Sequence, residues 1–270
     1  MRWLRSTKPA AEPPSGAKRF LLAQVSDIHF MVGGDTAAAF ARCVAHLARL
    51  PQQPDAVIFT GGLADSGSAA EYEAFGKVLA PLKMPTFLMA GSYDDPDAMR
   101  AAFPSHGYLP RGGNRIDYVI DEFPLRIVAL DSTVPKQRAG ALHLSQIEWL
   151  DETLKAATQK PTIVALHHPP YFTGIGHVDK DGLARPEWVE GVIAEHAQVE
   201  RVICGHLHRA TVKRFGNTVA STCPSASFQV ALELDDAAAP KSVGEAPGFQ
   251  LHLWQRGSGL VSHTAALEAS

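Results

Sequence analysis

Three short motifs in this sequence place histidine and aspartate at spacings that suit a metal site. The first is Val25-Ser26-Asp27-Ile28-His29, in which a carboxylate and an imidazole stand two residues apart after an apolar run. The others are His167-His168-Pro169-Pro170 and Gly205-His206-Leu207-His208. Imidazole nitrogen and carboxylate oxygen are ligands for zinc, iron and manganese. A lone buried histidine is more often structural, but three such motifs in order favour a metal site.

Each motif follows an apolar segment that predicts a buried strand. Up to His208, such segments alternate with amphipathic helical patterns, as in α/β proteins. Five of them end in a loop with polar side chains, and ligands in open α/β sheets bind at the carboxyl ends of strands. We therefore expect these loops to converge on one cleft. The five predicted strands are Leu21–Val25, Ala56–Phe59, Thr86–Met89, Thr162–Leu166 and Val202–Cys204.

The rest of the pattern completes a fold prediction. A capping box at Ser145-Gln146-Ile147-Glu148 predicts a helix that opens there. We predict one α/β domain over residues 19–270, with mixed sheets packed face to face and helices outside, after a flexible tail over residues 1–18. After His208 only strands are predicted, at Thr211–Arg214, Phe228–Leu234, Phe249–Trp254 and Leu260–Thr264.

Composition narrows the class of protein. With 270 residues and 46% hydrophobic content, the chain can bury a full core as one large domain or two small ones. A net charge of -3 does not indicate the basic surface that would bind a nucleic acid polymer or an acidic membrane surface. No apolar run approaches the ~20 residues that a membrane-spanning helix needs. The three cysteines stand at unrelated spacings and suggest no disulfide framework, so we predict a cytoplasmic protein.

At five places the chain resembles the ordered sequence blocks of the calcineurin-like metallophosphoesterases. The closer resemblance is to the bacterial class III cyclic-nucleotide phosphodiesterases and their glycerophosphodiesterase relatives. It runs from about Phe20 to Thr264 and includes the loop from Thr173 to Asp179. The five blocks are Asp27-x-His29, Thr60-Gly61-Gly62-Leu63-Ala64-Asp65, Gly91-Ser92-Tyr93-Asp94, His167-His168-Pro169-Pro170 and Gly205-His206-Leu207-His208.

The resemblance implies a four-layer αββα sandwich with a two-metal centre that hydrolyses a small-molecule phosphate ester. By position, Asp27, His29 and His208 would hold the first metal ion. His167 and His206 would hold the second. The metals would bind phosphate oxygens and activate a hydroxide for in-line attack on phosphorus. Relatives of this kind commonly form dimers or larger assemblies, so the resemblance also allows a homo-oligomer.

The chain departs from the family pattern within these blocks. Gly62 replaces an aspartate that bridges the two metals, and Ser92 replaces an asparagine that binds the second. Tyr93 replaces a histidine that contacts the phosphate or protonates the leaving group, and Phe228 stands where the subgroup often has histidine. Without the bridging carboxylate, two dications would repel across ~3.5 to 4 Å. We predict one tightly held iron, manganese or zinc ion and a weak or empty second position, with Ser92 a poor ligand there.

Three side chains near the predicted site have less certain roles. Tyr93 is either a hydrogen-bond donor to an oxyanion or an aromatic that fills space, and the sequence favours neither. His177 is expected to line the substrate cleft, as in the relatives. His168, fixed by the proline that follows it, is expected to support its neighbours by packing.

The sequence favours an enzyme of this lineage, because five potential ligands remain. The predicted activity is hydrolysis of a phosphodiester, of the cyclic-nucleotide or glycerophosphodiester type, through a weakened and mononuclear site. The alternative is an impaired or inactive family member that binds a nucleotide or phosphate without turnover. The sequence does not distinguish natural from engineered replacements at Gly62, Ser92 and Tyr93.

Overall fold

The structure is a computed structural model, and it describes residues 18–113, 115–235 and 237–267. The predicted tail over residues 1–18 lies outside this part of the chain except for its last residue. The strands are β1 (Arg19–Val25), β2 (Ala56–Thr60), β3 (Thr86–Met89), β4 (Tyr118–Ile120), β5 (Arg126–Leu130), β6 (Gly140–Ala141), β7 (Thr162–Leu166), β8 (Leu183–Ala184), β9 (Val199–Cys204), β10 (Thr211–Phe215), β11 (Thr218–Thr222), β12 (Gln229–Val230), β13 (Ser242–Val243), β14 (Gly248–Gln255) and β15 (Gly259–Ala266). The helices are α1 (Asp35–Leu47), α2 (Ala69–Leu79), α3 (Pro96–Ala102), α4 (Leu144–Lys155), α5 (Gly176–Asp179) and α6 (Pro186–Glu195).

Two large sheets form the centre of the fold. The first has five strands in the order β15-β14-β1-β2-β3 and is parallel where β1, β2 and β3 pair. The second has six strands in the order β10-β11-β9-β7-β5-β4 and is parallel where β5, β7 and β9 pair. All five strands that were predicted to end in polar loops lie in these parallel regions. Their carboxyl ends therefore share one edge of each sheet.

The side chains of the second sheet alternate between two cores. Along β5, Ile127 and Ala129 join the core that the two sheets share. Val128 and Leu130 join a second core, which is completed by side chains of α4 and α6. Successive side chains of a strand point to opposite faces, so this sheet is covered on both sides. Helices α1 and α2 cover the outer face of the first sheet, and the predicted four-layer sandwich is confirmed.

An aromatic cluster fixes α1 and α2 on the first sheet. The rings of Phe40 in α1 and Phe75 in α2 are stacked, with centroids 4.7 Å apart and an interplanar angle of 9°. Helix α2 begins with a capping box in which the Glu71 carboxylate accepts a hydrogen bond from the Ser68 amide at 3.1 Å. The same carboxylate accepts a hydrogen bond from the Ser66 amide at 3.0 Å. The capping box therefore also anchors the loop that leaves β2.

Two local predictions were wrong. The predicted strand Phe228–Leu234 forms only at β12, because only two residues of β13 pair with it. Beyond that pairing, Leu232 and Leu234 are exposed, so the apolar pattern there has no buried face.

The predicted start of α4 at Ser145 was also wrong. The helix begins two positions earlier than a Ser145 cap would place it, with His143 at the N-cap. The Gln146 side chain accepts a hydrogen bond from the His143 amide at 3.0 Å and donates one to the Asp131 carbonyl at 2.9 Å. These tertiary contacts determine which residue caps the helix.

Candidate metal centre

Asp27, His29 and His208 form a cluster in which one ligand atom of each lies within 4.8 Å of the others. Asp27 and His29 leave the carboxyl end of β1, and His208 lies in the loop that follows β9. His208 Nε2 is 3.2 Å from His29 Nε2 and 3.7 Å from Asp27 Oδ1. The side chains of Asp27 and His208 are buried. The first predicted ligand set is therefore together in space.

Hydrogen bonds indicate which ring nitrogens have a lone pair in this cluster. His208 Nδ1 lies 3.1 Å from the Phe228 carbonyl oxygen, which can only accept, so Nδ1 carries the hydrogen. His29 Nδ1 faces Asp65 Oδ1 at 3.7 Å, which favours the same tautomer. Burial lowers the pKa of His29 and of His208 to about 4 in each case. Both rings are neutral at neutral pH and turn their Nε2 lone pairs toward each other.

Asp27 contributes a buried carboxylate. Its Oδ2 accepts a hydrogen bond from the His206 amide at 2.9 Å, and its carbonyl oxygen accepts one from Ser225 Oγ at 2.7 Å. Burial raises the pKa of the Asp27 carboxyl above its usual value. Among the described residues, no lysine or arginine pairs with this carboxylate, and His208 Nε2, 3.7 Å from its Oδ1, belongs to a neutral ring. A carboxylate and two imidazole lone pairs that face one point fit a transition metal ion.

The backbone at the motif residues is unusual. Asp27, His29, His206 and His208 have φ values of 53°, 47°, 69° and 55°, four of the six positive values at non-glycine residues in the described chain. The left-handed region costs ~1 to 2 kcal/mol per residue for L-amino acids. Strain of this kind concentrates at functional sites, where the surrounding structure enforces it. Here the left-handed backbone conformation turns the side chains of these four residues toward the two clusters.

A second cluster consists of His167, His168 and His206, again with ligand atoms within 4.8 Å of one another. His168 is unsuited to metal binding in this arrangement. Its Nδ1 lies 2.8 Å from Ser132 Oγ, and its Nε2 lies 2.9 Å from the Arg138 carbonyl oxygen. Because a carbonyl only accepts, Nε2 carries a hydrogen. His168 therefore supports its neighbours, the role that the sequence suggested.

His167 and His206 present the remaining lone pairs of this cluster. His167 Nδ1 donates to the Thr60 carbonyl oxygen at 2.8 Å, which leaves Nε2 unprotonated. His206 Nε2 is buried and has no hydrogen-bond partner. Burial lowers the pKa of His167 to about 3 and that of His206 well below its usual value. Ser92 Oγ donates to the Arg138 carbonyl at 2.9 Å and lies 3.1 Å from His168 Nε2, which carries a hydrogen, so part of its hydrogen-bonding capacity is already used.

Gly62 lies directly beside the first cluster. Its φ is 65°, and a Cβ atom there would lie 3.0 Å from Asp27 Oδ1 and 3.4 Å from His29 Nε2. A carboxylate at this position would enter the cluster, and glycine supplies none.

A cleft with a volume of about 470 Å³ leads to the clusters. A smaller inner cavity of about 50 Å³ reaches Asp27, His167 and Ser92. Tyr93 lines both spaces and is 42% exposed, with its ring edge-on to His29 at 5.8 Å between centroids. Phe228 covers the His208 ring at 4.5 Å between centroids.

Other residues of the cleft wall were predicted in part. His177, on α5, lines the outer cleft, and its role toward a substrate stays a prediction. Two basic residues that the sequence did not single out, Arg138 and Lys241, line it as well. Neither stands in a motif, and no spacing pattern connects them to the ligands.

Solved structures with a similar fold include two phosphatases. A dimetal phosphatase from Danio rerio matches with a TM-score of 0.62 at 15% identity, over 92% of this chain and 99% of that one. A purple acid phosphatase from yellow lupin also matches with a TM-score of 0.62, at 13% identity, over 93% of this chain and 54% of that one. At these identities the likeness concerns the fold, which is that of the metallophosphoesterases.

The family model described as calcineurin-like phosphoesterase matches residues 20–210, and the chain belongs to this family. A probable glycerophosphodiester phosphodiesterase, GpdQ of Arcobacter nitrofigilis, is 32% identical over 91% of this chain and 92% of its own length. A probable cyclic nucleotide phosphodiesterase of Synechococcus is 36% identical over 77% of this chain and 81% of its own. Within the described residues, no helix is long and apolar enough to cross a membrane.

Proposed function

We propose that the chain is a metal-dependent phosphodiesterase that acts on a small phosphodiester of the cyclic-nucleotide or glycerophosphodiester type. The observation that carries this proposal is the meeting of the His29 and His208 Nε2 atoms, 3.2 Å apart, beside the buried Asp27 carboxylate. The names of the two relatives support the substrate class, since one is a glycerophosphodiester phosphodiesterase and the other a cyclic nucleotide phosphodiesterase.

In this proposal Asp27, His29 and His208 hold one transition metal ion tightly. A bound metal ion would act as a Lewis acid on the phosphoryl oxygen and would lower the pKa of the water bound to it. Phe228 shields His208 from solvent, and its carbonyl fixes the tautomer of that ring. Ser225 holds the Asp27 backbone in its strained conformation. These contacts orient the ligands in advance, which lowers the free energy needed to form the site.

The second position is weaker because it lacks a negative charge. His167 and His206 are neutral, and Gly62 supplies no carboxylate between the two clusters. The Ser92 hydroxyl is neutral and therefore adds no negative charge to this position, and its Oγ also lies 3.1 Å from His168 Nε2. We propose that a second ion binds weakly or not at all. The one-domain organisation, the cytoplasmic location and a homo-oligomer stay predictions from the sequence.

Metal quantification together with hydrolysis of bis-p-nitrophenyl phosphate tests the proposal. We expect about one iron, manganese or zinc ion per chain and metal-dependent cleavage that a chelator abolishes. The comparison variant combines Gly62→Asp, Ser92→Asn and Tyr93→His. A large rise in its activity would identify the present site as a weakened two-metal site. Two tightly bound ions in the unmodified chain would contradict the role given to Gly62, and nucleotide binding without turnover of any phosphate ester would favour a binding protein.

A further inference from the structure

Arg138 is the only lysine or arginine that lines the inner cavity among the described residues. It also lines the outer cleft, so it stands at the passage between the two spaces. Arg138 belongs to the loop between β5 and β6, outside every motif that the sequence singled out. Neither of the two candidate ligand clusters includes it.

Hydrogen bonds fix the position of the Arg138 backbone, while its side chain is 59% exposed. Its carbonyl oxygen accepts hydrogen bonds from Ser92 Oγ and from His168 Nε2, each at 2.9 Å. Strands β6 and β8 pair two residues farther along, with Gly140 opposite Leu183. That pairing brings the Arg138 loop against the loop of Asp181, and Arg138 Nε lies 3.1 Å from Asp181 Oδ2. Ser92 therefore positions the Arg138 loop. In the family resemblance, Ser92 stands where a metal-binding asparagine is expected.

The Arg138 side chain lines the same inner cavity as the side chains of both candidate clusters, Asp27, His29, His167, His206 and His208. A permanent cation beside a site for a metal ion is unfavourable unless an anion binds between them. The ion pair with Asp181 uses Nε, and the described hydrogen bonds and ion pairs include no contact from the Nη atoms. An arginine fork with available Nη groups matches the geometry of phosphoryl oxygens.

We propose that Arg138 is a substrate-binding residue whose guanidinium pairs with a non-bridging phosphoryl oxygen of the ester. This inference rests on the proposed function, because it assumes that the phosphoryl group binds at the cluster. Arg138 supplies positive charge that does not depend on a second metal ion. The site thus recognises the phosphodiester anion with one metal position and one guanidinium.

The test compares Arg138→Gln and Arg138→Lys with the parent chain, all loaded with metal. The Arg138 backbone makes the contacts to Ser92 and His168, so the glutamine variant keeps them and its metal content should equal that of the parent. Arg214→Gln is the matched control, since it removes the same charge from an exposed position on β10. The measurements are KM and kcat for bis-p-nitrophenyl phosphate and, by calorimetry, the Kd for inorganic phosphate.

We expect Arg138→Gln to raise both KM and the Kd for phosphate by about tenfold or more, the size of a lost charge-assisted hydrogen bond. Arg138→Lys should fall between the parent and the glutamine variant, and Arg214→Gln should stay within about twofold of the parent. Values for Arg138→Gln within twofold of the parent, or loss of its metal, would overturn the inference. Failure of the parent to bind phosphate would overturn it too.

The same measurements separate this inference from the proposed function. Phosphate binding that depends on Arg138, without turnover of any ester, would support the arginine role and reject the enzyme. Turnover that does not depend on Arg138 would do the opposite.

Discussion

His29 Nε2 and His208 Nε2 lie 3.2 Å apart, although 179 residues separate them in the chain. Each ring is neutral because burial lowers its pKa to about 4. Two lone pairs at this separation repel unless a proton or a cation lies between them. A metal ion that binds both rings and Asp27 therefore stabilises the folded chain.

The first prediction concerns metal-dependent stability. Removal of metal with a chelator should lower the melting temperature, and metal at ~100 times its Kd should restore ~2.7 kcal/mol. In Asp27→Asn the carboxylate is lost, so we expect the stabilisation by metal to disappear and kcat/KM to fall by ~100-fold or more. Calorimetric melting and metal analysis provide the measurements.

Asp65→Asn is the control for this prediction. Asp65 faces His29 Nδ1 at 3.7 Å, but its side chain is about half exposed, so the change should lower kcat/KM by less than ~tenfold. A metal-induced shift in Asp27→Asn as large as in the parent would show that the ion binds elsewhere.

The second prediction concerns the missing carboxylate. Gly62→Asp should increase the number of bound metal ions, because its Cβ would lie 3.0 Å from Asp27 Oδ1 and its carboxylate would reach the cluster. Gly62→Asn has the same size and tolerates a positive φ similarly, but it carries no charge. Metal titration should therefore separate the two variants. If both bind equal amounts of metal, the absence of charge at this position would not explain the weak second site that we propose.

The third prediction concerns the phenol at the mouth of the inner cavity. Tyr93→Phe keeps the ring that stands edge-on to His29 and removes only the hydroxyl. If the hydroxyl donates to a phosphoryl or leaving oxygen, kcat should fall by about tenfold with little change in KM. We expect this outcome, since Tyr93 lines both the cleft and the inner cavity. Steady-state kinetics that match the parent would instead assign Tyr93 to the cavity wall.

The sequence was sufficient to predict how the ligands come together. Apolar segments before Asp27, His167 and His206 predicted buried strands, and the carboxyl ends of parallel strands necessarily share an edge. The alternation of β5 and β7 side chains between the two cores then follows from the strand geometry. For these features local pattern and tertiary structure agree, and no distant contact was needed to predict them.

Other features depend on contacts that no local pattern encodes. The segment from Ala231 to Leu234 has the apolar alternation of a strand, yet its pairing ends with the Ala231 amide, which donates to the Lys241 carbonyl at 2.8 Å, and its leucines are exposed. Arg138 reaches the cleft because β6 pairs with β8, two short strands of two residues each. The tautomers of His168 and His208 are fixed by carbonyl groups of residues 30 and 20 positions away.

The fourth prediction concerns acid stability and a histidine that belongs to neither cluster. His252 on β14 is fully buried, with Nδ1 2.7 Å from Ser262 Oγ and Nε2 3.0 Å from Gln24 Oε1. Burial, together with the charge of Arg201, lowers its pKa to about 3. In the unfolded chain His252 binds a proton below pH ~6.5, and in the folded chain it stays neutral until the pH approaches 3. The stability that the folded chain gains by keeping His252 neutral is therefore complete above pH ~6.5 and is lost as the pH falls toward 3.

His252→Gln removes the titrating group and keeps a side chain that can hydrogen-bond to Ser262 and Gln24. As the pH falls from 6 to 4, the free energy of unfolding should therefore decrease more steeply for the parent than for His252→Gln. The two slopes should differ by ~1.4 kcal/mol per pH unit. Urea unfolding at a series of pH values measures the two slopes. His263→Gln, at an exposed position on β15, should have the slope of the parent. Parallel curves for the parent and His252→Gln would mean that His252 accepts a proton in the folded chain as readily as in the unfolded one.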